Sequence, residues 1–229
     1  MNANAYLPLR LRQVSLGLQG NPCLHSVDTT IETLGITAII GANGAGKTLL
    51  LKLLAGLLTP TEGRIEWQQT PLAPAITWVP TQARLLNRSV VENLLLPLQH
   101  HRHPEPRLRC QQALAWAAIT DLELRQVSSL STGEQQLLAL ARAWALAPEV
   151  LLLDEPTANL DPQRQAQLNT LISELSHTCK IIVTSHSMAQ VRQLAADILW
   201  LDHGKLRLHL PKDLFFASPE VVQFADLSL

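Results

Sequence analysis

The sequence predicts an α/β fold: a largely parallel sheet covered on both faces by helices, with a helical insertion between two of its strands. Three observations predict it. Short apolar runs rich in β-branched residues alternate with helical patterns in the early and late parts of the 229-residue chain, the alternation that builds parallel sheets. From about residue 83 to about 147 the patterns are helical and no run reads as a strand. Apolar residues make up 47% of the chain and aromatic residues only 4%, so the core is aliphatic, as in helices packed on a sheet rather than in a β-sandwich.

The elements follow in order. Leu9 to Leu16 alternates loosely and reads as a first strand. Gly35 to Ile40, GITAII, is a second. It runs directly into GANGAGKT, residues 41–48, after which TLLLKLLAGLL reads as a helix stopped at Thr59-Pro60. GRIEW (Gly63 to Trp67) and AITWVP (Ala75 to Pro80) are further strands. In the middle segment Val90 to Leu98 predicts a helix stopped near Pro97, Arg107 to Ile119 a second and Ser131 to Leu146 a third. The polar stretch HHRHPE (His100 to Glu105) separates the first two. Strands return in VLLLD from Val150, KIIVTSH from Lys180 and DILWL from Asp197. Helices over Pro162 to Leu175 and Met188 to Ala195 lie between them, and Pro211 to Leu229 reads as a short cap.

Bulk properties narrow the function. The formal net charge of −1 argues against a nucleic-acid partner. Cys23, Cys110 and Cys179 are far apart and form no CxxC pair, which points to reduced thiols in a cytosolic protein rather than to disulfides or a zinc site. The N-terminal residues carry no long apolar run, so no signal peptide is expected. The most apolar stretches, Leu49 to Leu58 and Leu137 to Ala147, are interrupted by Lys52 or Arg142 and are too short to span a bilayer. A membrane role would have to come through a partner.

GANGAGKT matches G-x-x-x-x-G-K-[ST] between a strand and a helix. Gly41, Gly44 and Gly46 permit backbone angles and close approach that a Cβ prevents. The amides of the loop, through Ala42, Asn43 and Ala45, can then wrap a phosphate at the positive end of the following helix. Lys47 supplies a charge for β- and γ-phosphates and Thr48 a hydroxyl for Mg²⁺. VLLLDEP places Asp154 and Glu155 at the C-terminal end of a buried strand, where such sheets hold ligands. Asp154 suits the metal, and Glu155 suits a general base that orients the attacking water. By itself the same pair could simply end a strand and cap a turn. His186, at the end of KIIVTSH, could donate to a γ-phosphate oxygen; by itself it could equally be structural. His100, His101 and His103 read as a solvated turn. LSTGE (Leu130 to Glu134) offers Ser131 and Gly133 at a helix N-terminus as a second anion-binding surface, or a plain capping box of Ser131 with Glu134.

Taken together, GANGAGKT, Gln82, LSTGE, VLLLDE, ANLD (Ala158 to Asp161) and His186, in that order, resemble the motifs of the nucleotide-binding subunit of an ATP-binding-cassette (ABC) transporter, over nearly the whole chain. The resemblance implies a P-loop NTPase (RecA-like) core with an antiparallel β-subdomain and an inserted helical subdomain. It implies one domain over residues 1–229, with the core at about 1–82 and 148–229 and the helical part at about 83–147. It implies Mg²⁺-dependent ATP hydrolysis in a homodimer that sandwiches ATP between GANGAGKT of one chain and Ser131 and Gly133 of the other, with Asp161 at the shared site. Gln82 would touch Mg²⁺ and the water and link the site to the helical part. The partners implied are an integral membrane permease and, through it, a solute-binding protein, at the cytoplasmic face of the plasma membrane.

The stretches ALAWAAITDL, DEPTANLDP, KIIVTSHSMAQVRQLAADILWLDHGKL and DLFFASPE resemble the ATPases of bacterial tungstate importers, within the wider molybdate, tungstate and sulfate group. Four positions depart from the family pattern. Thr132 replaces one of two paired glycines, Leu137 stands where arginine is common, Ser187 where aspartate is common, and Leu18 near where an aromatic stacks on adenine. A soluble ribosome- or DNA-associated ATPase of the same family is the alternative, as are an importer ATPase for another substrate and a regulatory subunit that binds ATP without turnover.

Overall fold

The computed structural model of the chain describes residues 6–68 and 74–221. Two sheets form. One is a three-stranded antiparallel sheet in the order β2-β1-β4, with β1 Leu9–Leu18, β2 Asn21–Ile31 and β4 Glu62–Glu66. The other has six strands in the order β5-β6-β7-β3-β8-β9, made of β3 Ile36–Ile40, β5 Ile76–Val79, β6 Val150–Asp154, β7 Lys180–Thr184, β8 Asp197–Asp202 and β9 Lys205–Pro211. The first five are parallel and β9 runs antiparallel to β8. Between β5 and β6 the chain is helical: α2 Val90–His100, α3 Pro106–Trp116, two 3₁₀ turns and α4 Thr132–Ala145. The remaining helices are α1 Lys47–Leu54, α5 Pro162–Leu175, α6 Met188–Leu194 and α7 Lys212–Ala217.

The inner parallel strands β3, β6 and β7 are buried at every position, which is why they read as near-continuous apolar runs. Alternate residues of β6 enter different cores. Leu151 and Leu153 face the side of α2 to α6 with Ile181 and Val183, whereas Val150 and Leu152 face α1 and the antiparallel sheet with Ile182, Leu9 and Leu11. The sheet is thus the middle layer, and the ends of its strands are held from both sides.

Four local readings change. Strand β2 is absent from the sequence reading because its register against β1 is broken by irregular pairings, so alternation is lost. Strand β9 fills the stretch between the DILWL strand and the expected cap, where its alternating Leu206, Leu208 and Leu210 pair back on β8. Helix α1 ends at Leu54, short of Pro60, because Gly56 takes a left-handed turn (φ 68°). Helix α2 does not stop near Pro97 but continues to His100. Pro97 forfeits one bond in the last turn, while Leu94 and Leu98 are fully packed and Ser89 with Glu92 forms a capping box at the start. Of the expected cap, α7 and the residues to Val221 are described, and Phe215 is buried under them; residues 222–229 lie outside the described residues.

Candidate nucleotide-binding site

The loop 41–46 joins the C-terminal end of β3 to the N-terminus of α1. Two of its glycines are dictated by space. At Gly41 a Cβ would collide with the carbonyl of Leu201, and at Gly46 (φ 100°) it would meet the Leu24 side chain of β2. Gly44 is open but also has positive φ, at 80°. Ala45 is buried, while Ala42, Asn43 and Gly44 face outward. The loop therefore presents its backbone to a ligand rather than side chains.

Lys47, the first residue of α1, folds back over the loop. Its Nζ donates to the carbonyls of Gly41 at 2.9 Å and Ala42 at 3.1 Å and lies 3.2 Å from Nε2 of His186. Burial pulls the ammonium pKa down, and the carboxylates of Glu155 and Asp154 oppose that pull. Thr48 Oγ1 faces both oxygens of Asp154 at 3.1 and 3.0 Å. Asp154 is the last residue of β6, and its Oδ1 also accepts from Thr184 Oγ1 of the adjacent β7 at 2.7 Å. The same Thr184 oxygen accepts the Glu155 N–H at 2.9 Å. Glu155 adopts a left-handed backbone (φ 48°), an arrangement that costs a non-glycine residue about 1 kcal/mol. The bond to Thr184 helps to hold it. The turn aims the carboxylate at His186: Glu155 Oε1 and His186 Nε2 are 2.6 Å apart. His186 lies two residues beyond β7, rather than ending the strand as expected.

Seven of the expected site residues thus converge at the C-terminal ends of β3, β6 and β7: Gly41, Ala42, Lys47, Thr48, Asp154, Glu155 and His186. A hydroxyl and a carboxylate 3.0 Å apart are hard oxygen donors that fit Mg²⁺. Phosphates fit the loop amides and Lys47.

Four expected residues are elsewhere. Ser131 is the N-cap of α4, accepting the Glu134 N–H on Oγ while its own N–H donates to Glu134 at 2.8 Å. That is the capping box, and the bond from the Ser131 N–H holds the Glu134 carboxyl below its usual range. Ser131 remains exposed. Gly133 is buried against Arg164 of α5, where a Cβ would come within 3.1 Å of that side chain. Asp161 caps α5 by accepting the Arg164 N–H at 3.0 Å. Gly133 and Asp161 therefore meet at Arg164, Ser131 is tied to Glu134, and no hydrogen bond joins the three to residues 41–48 among the described residues. Gln82, on the loop after β5, is exposed and joins neither cluster by a hydrogen bond.

Two supporting residues escaped the sequence reading. Thr184 is a hydroxyl in an apolar run, and that contrast was its only signal. Gln136 lies inside α4 and had none beyond its polarity.

The ABC transporter family profile matches residues 24–158. Over 82% of this chain and 91% of the relative, the sequence is 36% identical to the tungstate uptake system ATP-binding protein of Peptoclostridium acidaminophilum. It is also 36% identical to the molybdenum import ATP-binding protein of Saccharophagus degradans, over 86% of this chain and 58% of that longer one. Among solved structures, CbiO1 of Clostridium perfringens, part of an ABC transporter complex, superposes with a TM-score of 0.84 at 26% identity. The match covers 98% of this chain and 96% of that one. With the phosphate loop, the two carboxylates and the histidine assembled on this fold, the chain belongs to the ABC transporter family and is one of its ATP-hydrolysing subunits.

Proposed function

We propose that this chain is the ATPase of an importer and that it powers uptake of a small oxyanion such as tungstate. One observation carries the hydrolytic part. Lys47, His186 and Glu155 form a continuous chain of contacts at 3.2 and 2.6 Å beside the Thr48–Asp154 pair. The loop amides and Lys47 bind and orient the triphosphate. Glu155 accepts a proton from the attacking water and fixes its direction. His186 Nε2 holds that carboxylate in the nucleotide-free chain and, with the triphosphate bound, turns its one proton toward the terminal phosphate instead. Thr48 and Asp154 would hold Mg²⁺, which would supply positive charge to offset the negative charge of the phosphates.

In this reading the site is half complete in one chain. Ser131 and Gly133 head α4 on a separate surface, which suits contact with ATP held by a second copy, with Asp161 beside the shared boundary. ATP touches both halves only in the closed dimer, so it shifts the equilibrium toward closure and hydrolysis releases it. No helix among the described residues is long and apolar enough to cross a membrane, so the work reaches the solute through a permease, with Gln82 linking the site to the helical part. The chain then sits on the cytoplasmic face of the membrane. The names of the relatives support import. The substrate is chosen by the permease and its solute-binding protein.

The test is to purify the Glu155→Gln chain with ATP from its native cells in mild detergent and to identify what accompanies it. A permease is expected, and its solute-binding protein should then bind tungstate more tightly than molybdate or sulfate. Recovery of ribosomal or DNA-bound partners alone would overturn the transport reading. A preference for another ligand would replace tungstate.

A further inference from the structure

Gln136 lies one turn inside α4, five residues after the Ser131 cap, and is 4% exposed. Its Nε2 donates twice, to the carbonyl of Thr81 at 3.0 Å and to that of Pro156 at 3.4 Å. Thr81 directly precedes Gln82, and Pro156 directly follows Glu155. A single side-chain amide therefore ties together the helix headed by Ser131, the loop that carries Gln82 and the turn that carries Glu155. Neither acceptor is part of a helix or strand, so no regular ladder fixes their spacing. The Oε1 of the same amide is buried and has no hydrogen-bond partner among the described residues. A buried polar group left in that condition is unfavourable, and an apolar residue of similar size would fill the space without it.

We infer that Gln136 is a positioning residue for hydrolysis: it sets the Gln82 loop against the Glu155 turn and makes both follow any shift of α4. The two donated bonds give it this reach. A movement of the α4 N-terminus is transmitted through the amide to two backbone carbonyls, each one residue from a group proposed to handle the water. This rests on the roles proposed for Gln82 and Glu155.

The experiment compares the full-length chain with Gln136→Met, Gln82→Ala and the double variant, measuring nucleotide affinity by fluorescent ATP binding and turnover by phosphate release. Gln136→Met keeps volume and removes both donors. It should lower kcat about tenfold or more while changing ATP affinity less than about twofold, because the amide touches no part of the phosphate loop. The double variant should be no slower than the worse single one, since residues acting as a unit do not add. Unchanged kcat in Gln136→Met, or losses that multiply in the double variant, would overturn the inference. Should Gln136→Met fail to fold, Gln136→Asn, whose shorter amide cannot span both carbonyls, carries the same expectations. Turnover that survives Glu155→Gln would sink the hydrolysis reading itself, which separates that failure from this one.

Discussion

The Nε2 atom of His186 sits 2.6 Å from Glu155 Oε1 and 3.2 Å from the ammonium of Lys47. One ring nitrogen can give its proton to the carboxylate or accept one from the lysine, not both at once. The histidine therefore links the group proposed to handle water with the group proposed to hold phosphate, and its proton position reports which is engaged.

Replacing either partner should separate chemistry from binding. Glu155→Gln and His186→Ala are each expected to lower kcat by about 10²-fold or more, with ATP still bound through the loop and Lys47. Glu155→Gln should also trap a dimer with ATP, visible by size-exclusion chromatography. Unaltered turnover and a monomeric elution with ATP would remove Glu155 from the role of base.

The Thr48–Asp154 contact should be read out through Mg²⁺. Thr48→Val removes a hydroxyl and keeps the shape, so the Mg²⁺ concentration for half-maximal ATPase should rise about tenfold or more, while a metal-free nucleotide is bound as before. Identical Mg²⁺ titrations for the two proteins would exclude Thr48 as a ligand.

Base recognition should be loose. Strand β1 ends in VSLGL, and Leu18 is 38% exposed with no aromatic ring beside it in the strand. An apolar leucine distinguishes purines poorly, so GTP should be hydrolysed with a kcat/KM within about a hundredfold of that for ATP. A stricter ATP preference measured on the purified chain would show that another element reads the base.

The contribution of Lys180 to stability should climb in alkali. Lys180 is 1% exposed, donates to the Thr33 carbonyl at 2.9 Å, and is pulled by burial from 10.5 down to about 8, against the opposing attraction of Asp197. Because the folded pKa lies below the unfolded one, the unfolded chain holds more protons between those values. Stability attributable to Lys180 therefore rises from about pH 8 to about pH 10.5, by up to about 3 kcal/mol, and is flat on either side. Urea unfolding of the native chain and of Lys180→Met across this window should differ by that slope. Parallel curves would mean that the lysine is not the titrating group.

The thiols should divide by burial. Burial raises Cys110 to about 11 and Cys179 to about 12, with Glu123 adding to the shift at Cys110, while Cys23 is only half-buried. A thiol reagent near pH 8 should modify one cysteine per folded chain and three after denaturation. A Cβ placed on Gly46 would lie 3.5 Å from the Cys23 carbonyl, so MgATP should slow the reaction at Cys23. Labelling of two or more thiols in the folded chain would contradict the packing around α3 and β7.

The sequence by itself determined seven of the nine strands among the described residues, the helices, and the GANGAGKT loop with the Asp154–Glu155 pair as the candidate site. These depend on local pattern: a parallel strand buried on both faces is a run of apolar residues, and a glycine-rich turn before a lysine declares itself within eight positions. Only the tertiary structure decided which distant residues meet. Strand β9 pairs with β8 and strand β2 lies across β1 through contacts that short-range periodicity does not encode. Thr184 reaches Asp154 and Glu155 because β6 and β7 are neighbours, 30 and 29 residues apart in sequence. Gln136 reaches Thr81 across 55 residues because α4 packs over the end of β5. Gly133 likewise packs against Arg164 of α5, and no hydrogen bond among the described residues joins it or Ser131 to the loop at Lys47. Local sequence sets what each segment is, whereas the sheet order, fixed by burial on both faces at once, sets what each side chain can touch.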